Sequence, residues 1–398
     1  MPLFFQDRKN NKKQLRSFTG ETIAEILRRN RIPVSSVITI CDGKPISENS
    51  KLDDRKIYLS KLIEGYDIES VIETVDNKSK EKASYFKDRI TFGIDGKLIG
   101  EHVSLSCDEV VQLVDENIKF AVTHYGMIKS SDKVLVGLSG GVDSSSLLIS
   151  LEKLSKIIGF TIEAATFEDF DSLSSPTFSN AKSLAKELGV NHHLINADIV
   201  DKAFNLTKPI REILPELMKT EDKHFAMYID HHTTRRALEL FSEQIGANKI
   251  ILGLHVTDLV AGLLNSFTTG YYVADMFDRK IGPYTYIYPL MFIPKKELHL
   301  YYYAHMGEYA VHSYPNAWEL DPKDRNYYYY LADLLQDSFP GIENYLFEAN
   351  SWRLKRHPSL NYTQCCNCKS HILQQEFVMA NKEMCDVCAS LDKLGYIK

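Results

Sequence analysis

Val134-Leu135-Val136-Gly137-Leu138-Ser139-Gly140-Gly141-Val142-Asp143-Ser144 is the stretch from which the fold follows. An apolar run of strand character leads into Ser-Gly-Gly, and Ser145 to Lys153 continues with helical composition. Adjacent glycines accept the left-handed dihedrals that aim several backbone N–H groups at one anion, and the helix N-terminus adds its dipole. Hydroxyls of Ser139, Ser144 and Ser145 supply neutral donors, and Asp143 is placed to hold a divalent cation bridging phosphate oxygens. The stretch reads as a nucleotide phosphate cradle. The lysine-bearing loop G-x-x-x-x-G-K-[ST] is absent. A plain Gly-Gly turn is the competing reading, and the order of strand, glycines, acid, hydroxyl cluster and helix argues against it.

Outward from this loop, residues 134 to 294 alternate strand and helix patterns, which predicts an α/β domain with a doubly wound parallel sheet. Strands are expected at 160–167, 193–195 and 249–253, and helices at 179–188 and 233–244. Ligands of such sheets bind off the carboxyl ends of the strands. The loops at Ser139, Phe167 and Leu254 all lie there, so one pocket is expected to collect Ser139, Gly140, Gly141, Asp143, Ser144, Ser145, Phe167, Gly253 and His255. Phe167 would border adenine, and His255 would meet phosphate or the acceptor.

Residues 1–68 form a separate small unit with a helix at 21–29, strands at 37–40 and near 57–59, and a turn at Asp42-Gly43. The polar run 76–82 reads as a linker within 69–106, which also carries a short hairpin at 90–99. The phosphate-loop domain is expected over 107–300, beginning with a helix from Cys107 to Tyr125. A tyrosine-rich helical extension covers 301–360, and Tyr327 to Tyr330 point in different directions on their helix.

Five of the seven cysteines fall in the last 34 residues. Cys365-x2-Cys368 and Cys385-x2-Cys388 are separated by 16 residues, a spacing that lets two knuckles hold one tetrahedral Zn2+ over 361–398. Disulfides are disfavoured in a reducing compartment, while an iron–sulfur cluster also uses four cysteines. The paired histidines His192-His193 and His231-His232 are not expected to share a metal, because adjacent side chains point apart.

The chain has 398 residues, 44% apolar and 25% charged, with a formal net charge of −6. That balance describes an ordinary globular protein without a whole-chain attraction to nucleic acid. Local basic clusters, Arg235-Arg236 and Arg353, Lys355, Arg356 and His357, are the candidate RNA contacts. No apolar run approaches the roughly 20 residues that cross a bilayer, so a cytoplasmic protein without membrane contact is expected.

Two resemblances extend this reading. The order of elements in 1–68, including "IPVSSVITICDGKPISENSKLDDRKIYL", resembles the β-grasp sulfur carriers of molybdopterin and thiamine biosynthesis, which are ubiquitin-like. The phosphate loop, "IGANKIILGLHVTDLVAGLLNSFTTG", "DRNYYYYLADLLQDSFPGI" and the terminal cysteines resemble the PP-loop ATP pyrophosphatases, adenine nucleotide alpha hydrolase-like proteins, and within them the branch that thiolates tRNA. The likeness spans about 107–398. It implies ATP and Mg2+ as cofactors, Asp143 and Asp258 as catalytic acids, and adenylation of a carbonyl oxygen before sulfur replaces it. It also implies tRNA, a sulfur-donor protein and a second copy of the chain as candidate partners.

The departures are specific. The branch carries C-x2-C before its Arg-Arg helix, where this chain has Met227-Tyr228-Ile229-Asp230. A further cysteine before the "PL" turn is replaced in Tyr284-Thr285-Tyr286-Ile287-Tyr288-Pro289-Leu290. "GHNxDD" becomes Gly253-Leu254-His255-Val256-Thr257-Asp258, keeping the second acid. Met and Tyr cannot replace a thiolate nucleophile, so sulfur must come from outside the chain. An ATP-binding scaffold or sensor, and a ligase adenylating a non-RNA acceptor, are the alternatives.

Overall fold

A computed structural model of the chain describes residues 4–6, 12–14, 20–29, 32–41, 44–51, 57–61, 84–92, 98–168, 176–218, 223–269, 273–306, 325–356, 362–373 and 383–398. These fall into two compact units. One comprises Met1–Ala121, Leu254–Val273 and Leu290–Glu348, and the other Val122–Gly253, Ala274–Pro289 and Ala349–Lys398. The turn at 42–43, the linker run 76–82 and His357 lie outside the described residues.

The second unit is built on a six-stranded sheet. Its strands are β8 (Lys133–Gly137), β9 (Thr161–Phe167), β10 (Asn191–Ile195), β11 (Lys249–Ile251), β12 (Arg279–Ile281) and β13 (Tyr284–Ile287), in the order β10-β9-β8-β11-β13-β12. All neighbours run parallel except the β12 and β13 edge pair. Val134, Leu135 and Val136 of the central strand β8 are each 0% exposed, as their unbroken apolar run requires of a strand covered on both faces. The alternating sequence pattern thus produces the expected doubly wound topology. The strand expected at 249–253 ends at Ile251, and the helix expected at 233–244 runs from Lys223 to Ile245, ten residues earlier at its start.

In the first unit a five-stranded sheet has the order β2-β1-β5-β3-β4, with β1 (Phe4–Gln6), β2 (Lys12–Gln14), β3 (Val37–Cys41), β4 (Lys44–Pro45) and β5 (Ile57–Lys61). β1 and β5 pair in parallel and the other neighbours are antiparallel. The helix Ile23–Arg29 begins at a reciprocal cap: Glu25 N–H donates to Thr22 Oγ1 (3.3 Å), and Thr22 N–H donates to Glu25 Oε2 (2.7 Å). Its Ile23, Ile26 and Leu27 join Val37, Ile57 and Leu59 in one core.

Helices Lys295–Met306 and Arg325–Ser338 belong to the same unit. Lys296, 2% exposed, donates to Glu48 Oε1 (2.9 Å) and to the Val34 carbonyl (3.2 Å), and Thr39 Oγ1 also donates to Glu48 Oε1 (2.9 Å). Ser35 Oγ donates to the Asp333 carbonyl. The N-terminal segment is therefore fastened to these helices by a buried ion pair and by hydrogen bonds. An antiparallel hairpin, β6 (Ser84–Phe92) with β7 (Leu98–Ser106), leads to the helix Cys107–His124 and is longer than the 90–99 stretch that signals it.

Candidate functional site

Beyond Gly137 the Leu138 N–H donates to the Ala165 carbonyl (2.8 Å), and Thr166 Oγ1 donates to the Leu138 carbonyl (2.6 Å). The chain then leaves the sheet. Gly140 has φ +79°, a left-handed conformation that a side chain would strain, and Gly141 caps the helix Val142–Ile158 without a side-chain bond. Two serines pin the loop between them. Ser139 Oγ lies 3.0 Å from Ser144 Oγ, Ser139 N–H donates to Ser144 Oγ (3.2 Å), and Gly141 N–H donates to Ser139 Oγ (3.3 Å). A glycine-capped helix start behind a left-handed turn is the geometry with which backbone N–H groups cradle an anion. Asp143 is the acid of that helix's first turn and is half-buried. Ser145 is 1% exposed and its N–H closes the first helical bond to Gly141 O (3.0 Å).

β8 is flanked by β9 on one side and β11 on the other, so the chain departs in opposite directions from its two neighbours. This is the switch point at which open α/β sheets bind ligands. Gly253, just past β11, packs so closely that a Cβ there would lie 3.1 Å from Ser144 N. Phe167, the last residue of β9, is 8% exposed. Gly253, Phe167 and the serine loop thus share one end of this sheet.

His255 and Asp258 belong to the other unit. There they close on each other at the start of the helix Val256–Thr269: His255 N–H donates to Asp258 Oδ2 (3.1 Å), and Asp258 N–H donates to His255 Nδ1 (3.4 Å). His255 is 1% exposed. The next residue, Thr257, donates to Asp333 Oδ1 (2.9 Å), and burial holds the Asp333 carboxyl up at about 7.

The terminal cysteines converge as their spacing predicts. Sγ atoms of Cys365, Cys368, Cys385 and Cys388 lie within 4.8 Å of one another, and all four residues are buried. The first knuckle turns at Lys369, whose φ is +59°, in the hairpin of β14 (Tyr362–Gln364) and β15 (His371–Leu373). The second opens the helix Asp386–Lys393. Backbone N–H groups of Cys385 and Cys388 donate to Cys365 Sγ (3.3 Å) and Cys385 Sγ (3.4 Å), and Asn367 Nδ2 donates to Cys388 Sγ (3.4 Å). Hydrogen bonds from the other three sulfhydryls push the Cys368 thiol down, and contacts with Cys365 and Cys368 push Cys385 and Cys388 up. Cation binding by such a cluster requires its thiols to give up their protons. The exposed Cys366 stands outside it.

Two residues at this centre carry no local sequence signal for it. His232, 7% exposed, has Nε2 3.7 Å from Cys385 Sγ, and burial pushes its imidazole below the usual value. Arg236, read from sequence as a phosphate contact, is buried instead. It donates to the Cys368 carbonyl (3.0 Å), to Glu239 Oε2 (3.2 Å) and to Tyr284 OH (3.1 Å). Its guanidinium is consumed inside the unit because it ties helix Lys223–Ile245 to the knuckle. Arg353, Lys355 and Arg356 do end the helix Ile342–Arg356, where Arg356 stacks 3.5 Å from the ring centroid of the exposed Trp352.

Residues 126–237 match the family described as asparagine synthase. A tRNA-cytidine(32) 2-sulfurtransferase of Pseudomonas putida is 33% identical over 153 residues, which is 38% of this chain and 50% of that protein. The enzyme of the same name from Pseudomonas entomophila is 34% identical over 155 residues, with the same shares covered. The chain resembles the PP-loop ATP pyrophosphatases of the tRNA-thiolation branch. It spans about half the length of these relatives. Among solved structures, the U34-tRNA thiolase NcsA from Methanococcus maripaludis, determined with its 4Fe-4S cluster, covers 76% of this chain and 92% of its own length, with a TM-score of 0.53. At 17% identity that likeness is one of fold. The PP-loop itself, Ser139 to Ser144, lies within the matched family region.

Proposed function

We propose that this chain binds ATP with Mg2+ at the Ser139–Ser144 loop, adenylates a carbonyl oxygen of a tRNA nucleobase, and so prepares that carbon for sulfur brought from outside the chain. The observation that carries this reading is the loop geometry, in which Gly140 is left-handed, Gly141 caps the helix bare, and Ser139 and Ser144 lock each other. The carbonyl oxygen attacks the α-phosphorus, the bond to pyrophosphate breaks, and the loop N–H groups with the Ser144 hydroxyl stabilise the departing charge. Asp143, a first-turn acid beside the loop, would hold Mg2+, which supplies further neutralisation of the phosphates. Phe167 and Gly253 border the nucleotide. A sulfur nucleophile then displaces AMP, which departs with the original oxygen. Relatives named tRNA sulfurtransferases support a tRNA acceptor. The absence of cysteine from 227–230 and 284–290 supports an external sulfur donor.

The cysteine centre reads as Zn2+. Around a tetrahedral zinc with Zn–S near 2.3 Å, thiolates stand about 3.8 Å apart. Cys368 and Cys385 have that separation, 3.8 Å. In a four-iron cube each cysteine binds a different iron, which spreads the sulfurs further. The N-terminal unit reads as a β-grasp domain, on the strength of its β2-β1-β5-β3-β4 order with a parallel central pair. The buried Lys296–Glu48 pair supports a fixed role for it in cis rather than that of a free carrier.

One observation favours a second reading, an ATP-binding scaffold: Asp258 is engaged in capping with His255. Nucleoside analysis of tRNA from cells deleted for the gene, complemented with the wild type or with Asp143→Asn, separates the two. The enzyme reading expects a thiolated nucleoside that the wild type restores and Asp143→Asn does not. Unchanged tRNA after deletion would contradict it, and restoration by Asp143→Asn would favour the scaffold.

A further inference from the structure

We propose that His232 is a positioning residue of the cysteine metal centre, donating its Nε2–H to the Cys385 thiolate with the proton placed there by Arg235. The proposal rests on reading the four cysteines as a metal site. Arg235 Nη2 stands 3.5 Å from His232 Nδ1. A guanidinium only donates, so Nδ1 must accept and the proton of the neutral ring lies on Nε2. That nitrogen faces Cys385 Sγ at 3.7 Å. The edge of the Phe204 ring, centroid 5.8 Å away, and the Tyr228 ring, 6.5 Å away, bound the imidazole and hold its plane.

Four thiolates around a divalent ion leave a buried net charge of minus two, which hydrogen-bond donors must offset. The backbone donors of Cys385 and Cys388, together with Asn367, come from within the knuckles. His232 is different, because it arrives from a helix more than a hundred residues earlier in the chain. One turn further along that helix, Arg236 holds the carbonyl of Cys368. Residues 232, 235 and 236 share one helical face, so a single surface of helix Lys223–Ile245 grips a ligand residue from each knuckle. The metal centre and this helix are accordingly one unit of structure. Loss of the His232 donor should loosen the metal, and loss of the metal should free the helix.

The test uses full-length protein. In the metal-loaded wild type, nitrogen NMR of labelled histidine should show His232 protonated at Nε2. A Nδ1-protonated ring would overturn the proposal whatever the variants do. His232→Phe keeps a planar ring without the donor and should speed zinc release to a chelator by about tenfold or more, with a shifted thiolate-to-metal band after cobalt substitution. His232→Gln, which can donate, should recover most of the wild-type rate. Wild-type release and spectrum in His232→Phe would also overturn the proposal. Elemental analysis of the wild type keeps the two claims distinguishable: metal present with silent variants removes only the role of His232, and no metal removes the centre and the proposal together.

Discussion

A Cβ on Gly253 would stand 3.1 Å from the Ser144 nitrogen and 3.2 Å from the Asp143 carbonyl carbon. Both neighbours are backbone, and they belong to the first turn of the helix that ends the phosphate loop. Gly253→Ala therefore pushes the cradle itself. ATP affinity measured by calorimetry is expected to fall by about tenfold or more, while the circular dichroism of the sheet and helices is retained. Unaltered affinity would mean that the loop is not the nucleotide site.

Removing one thiolate from the cysteine centre should cost folding stability, because this short segment gains from a metal what its core cannot supply. Cys388→Ser is expected to lower the Tm by on the order of 10 °C and to abolish the zinc binding proposed for this centre. Zinc content by elemental analysis and melting curves before and after chelation measure both effects.

The pair formed by Lys296 and Glu48 is 2% and 1% exposed at its side chains. Breaking such a pair strands a buried charge at a cost of roughly 3–5 kcal/mol, whereas replacing both partners by apolar groups is close to neutral. Lys296→Met should therefore destabilise strongly, and Lys296→Met with Glu48→Leu should recover most of the loss. Urea titrations of the single and double variants give the comparison.

Asp333 sets a pH dependence. Burial raises its carboxyl to about 7, with the Thr257 hydrogen bond opposing, against an unfolded value of about 4. The folded state then binds the extra proton between those values, so stability is fully present at low pH, falls as pH rises through that window and levels off above about 7. Asp333→Asn should remove this slope and, at pH 8, stabilise by on the order of a few kcal/mol. Denaturation at pH 5, 6 and 8 checks both the sign and the window.

The phosphate loop and the cysteine knuckles were legible in the sequence because each is local. Strand, glycines and helix follow one another without interruption from Val134, and two C-x2-C pairs announce their own ligands. Strands β1 and β2 were not legible: each has three residues, and Lys12-Lys13-Gln14 has no apolar alternation to mark it. The first ten residues of helix Lys223–Ile245 escaped for a related reason, since Lys223, His224, Asp230, His231 and His232 interrupt any apolar stripe. Arg236 was misread because its partners are distant. Cys368 lies 132 positions away and Tyr284 lies 48 away, so the sequence showed a basic pair where the fold buries one member. His232 beside the cysteine cluster was hidden in the same way, 153 positions from Cys385.

The proposed activity turns on cleavage of ATP between its α- and β-phosphates at the Ser139–Ser144 loop. Incubating the protein with ATP labelled at the α-phosphate, Mg2+, unmodified tRNA and a sulfide source measures it most directly. AMP and pyrophosphate are expected in equal amounts, dependent on tRNA and reduced by about a hundredfold or more in Asp143→Asn. Formation of ADP and phosphate, or bound ATP that stays intact across tRNA acceptors, would contradict it.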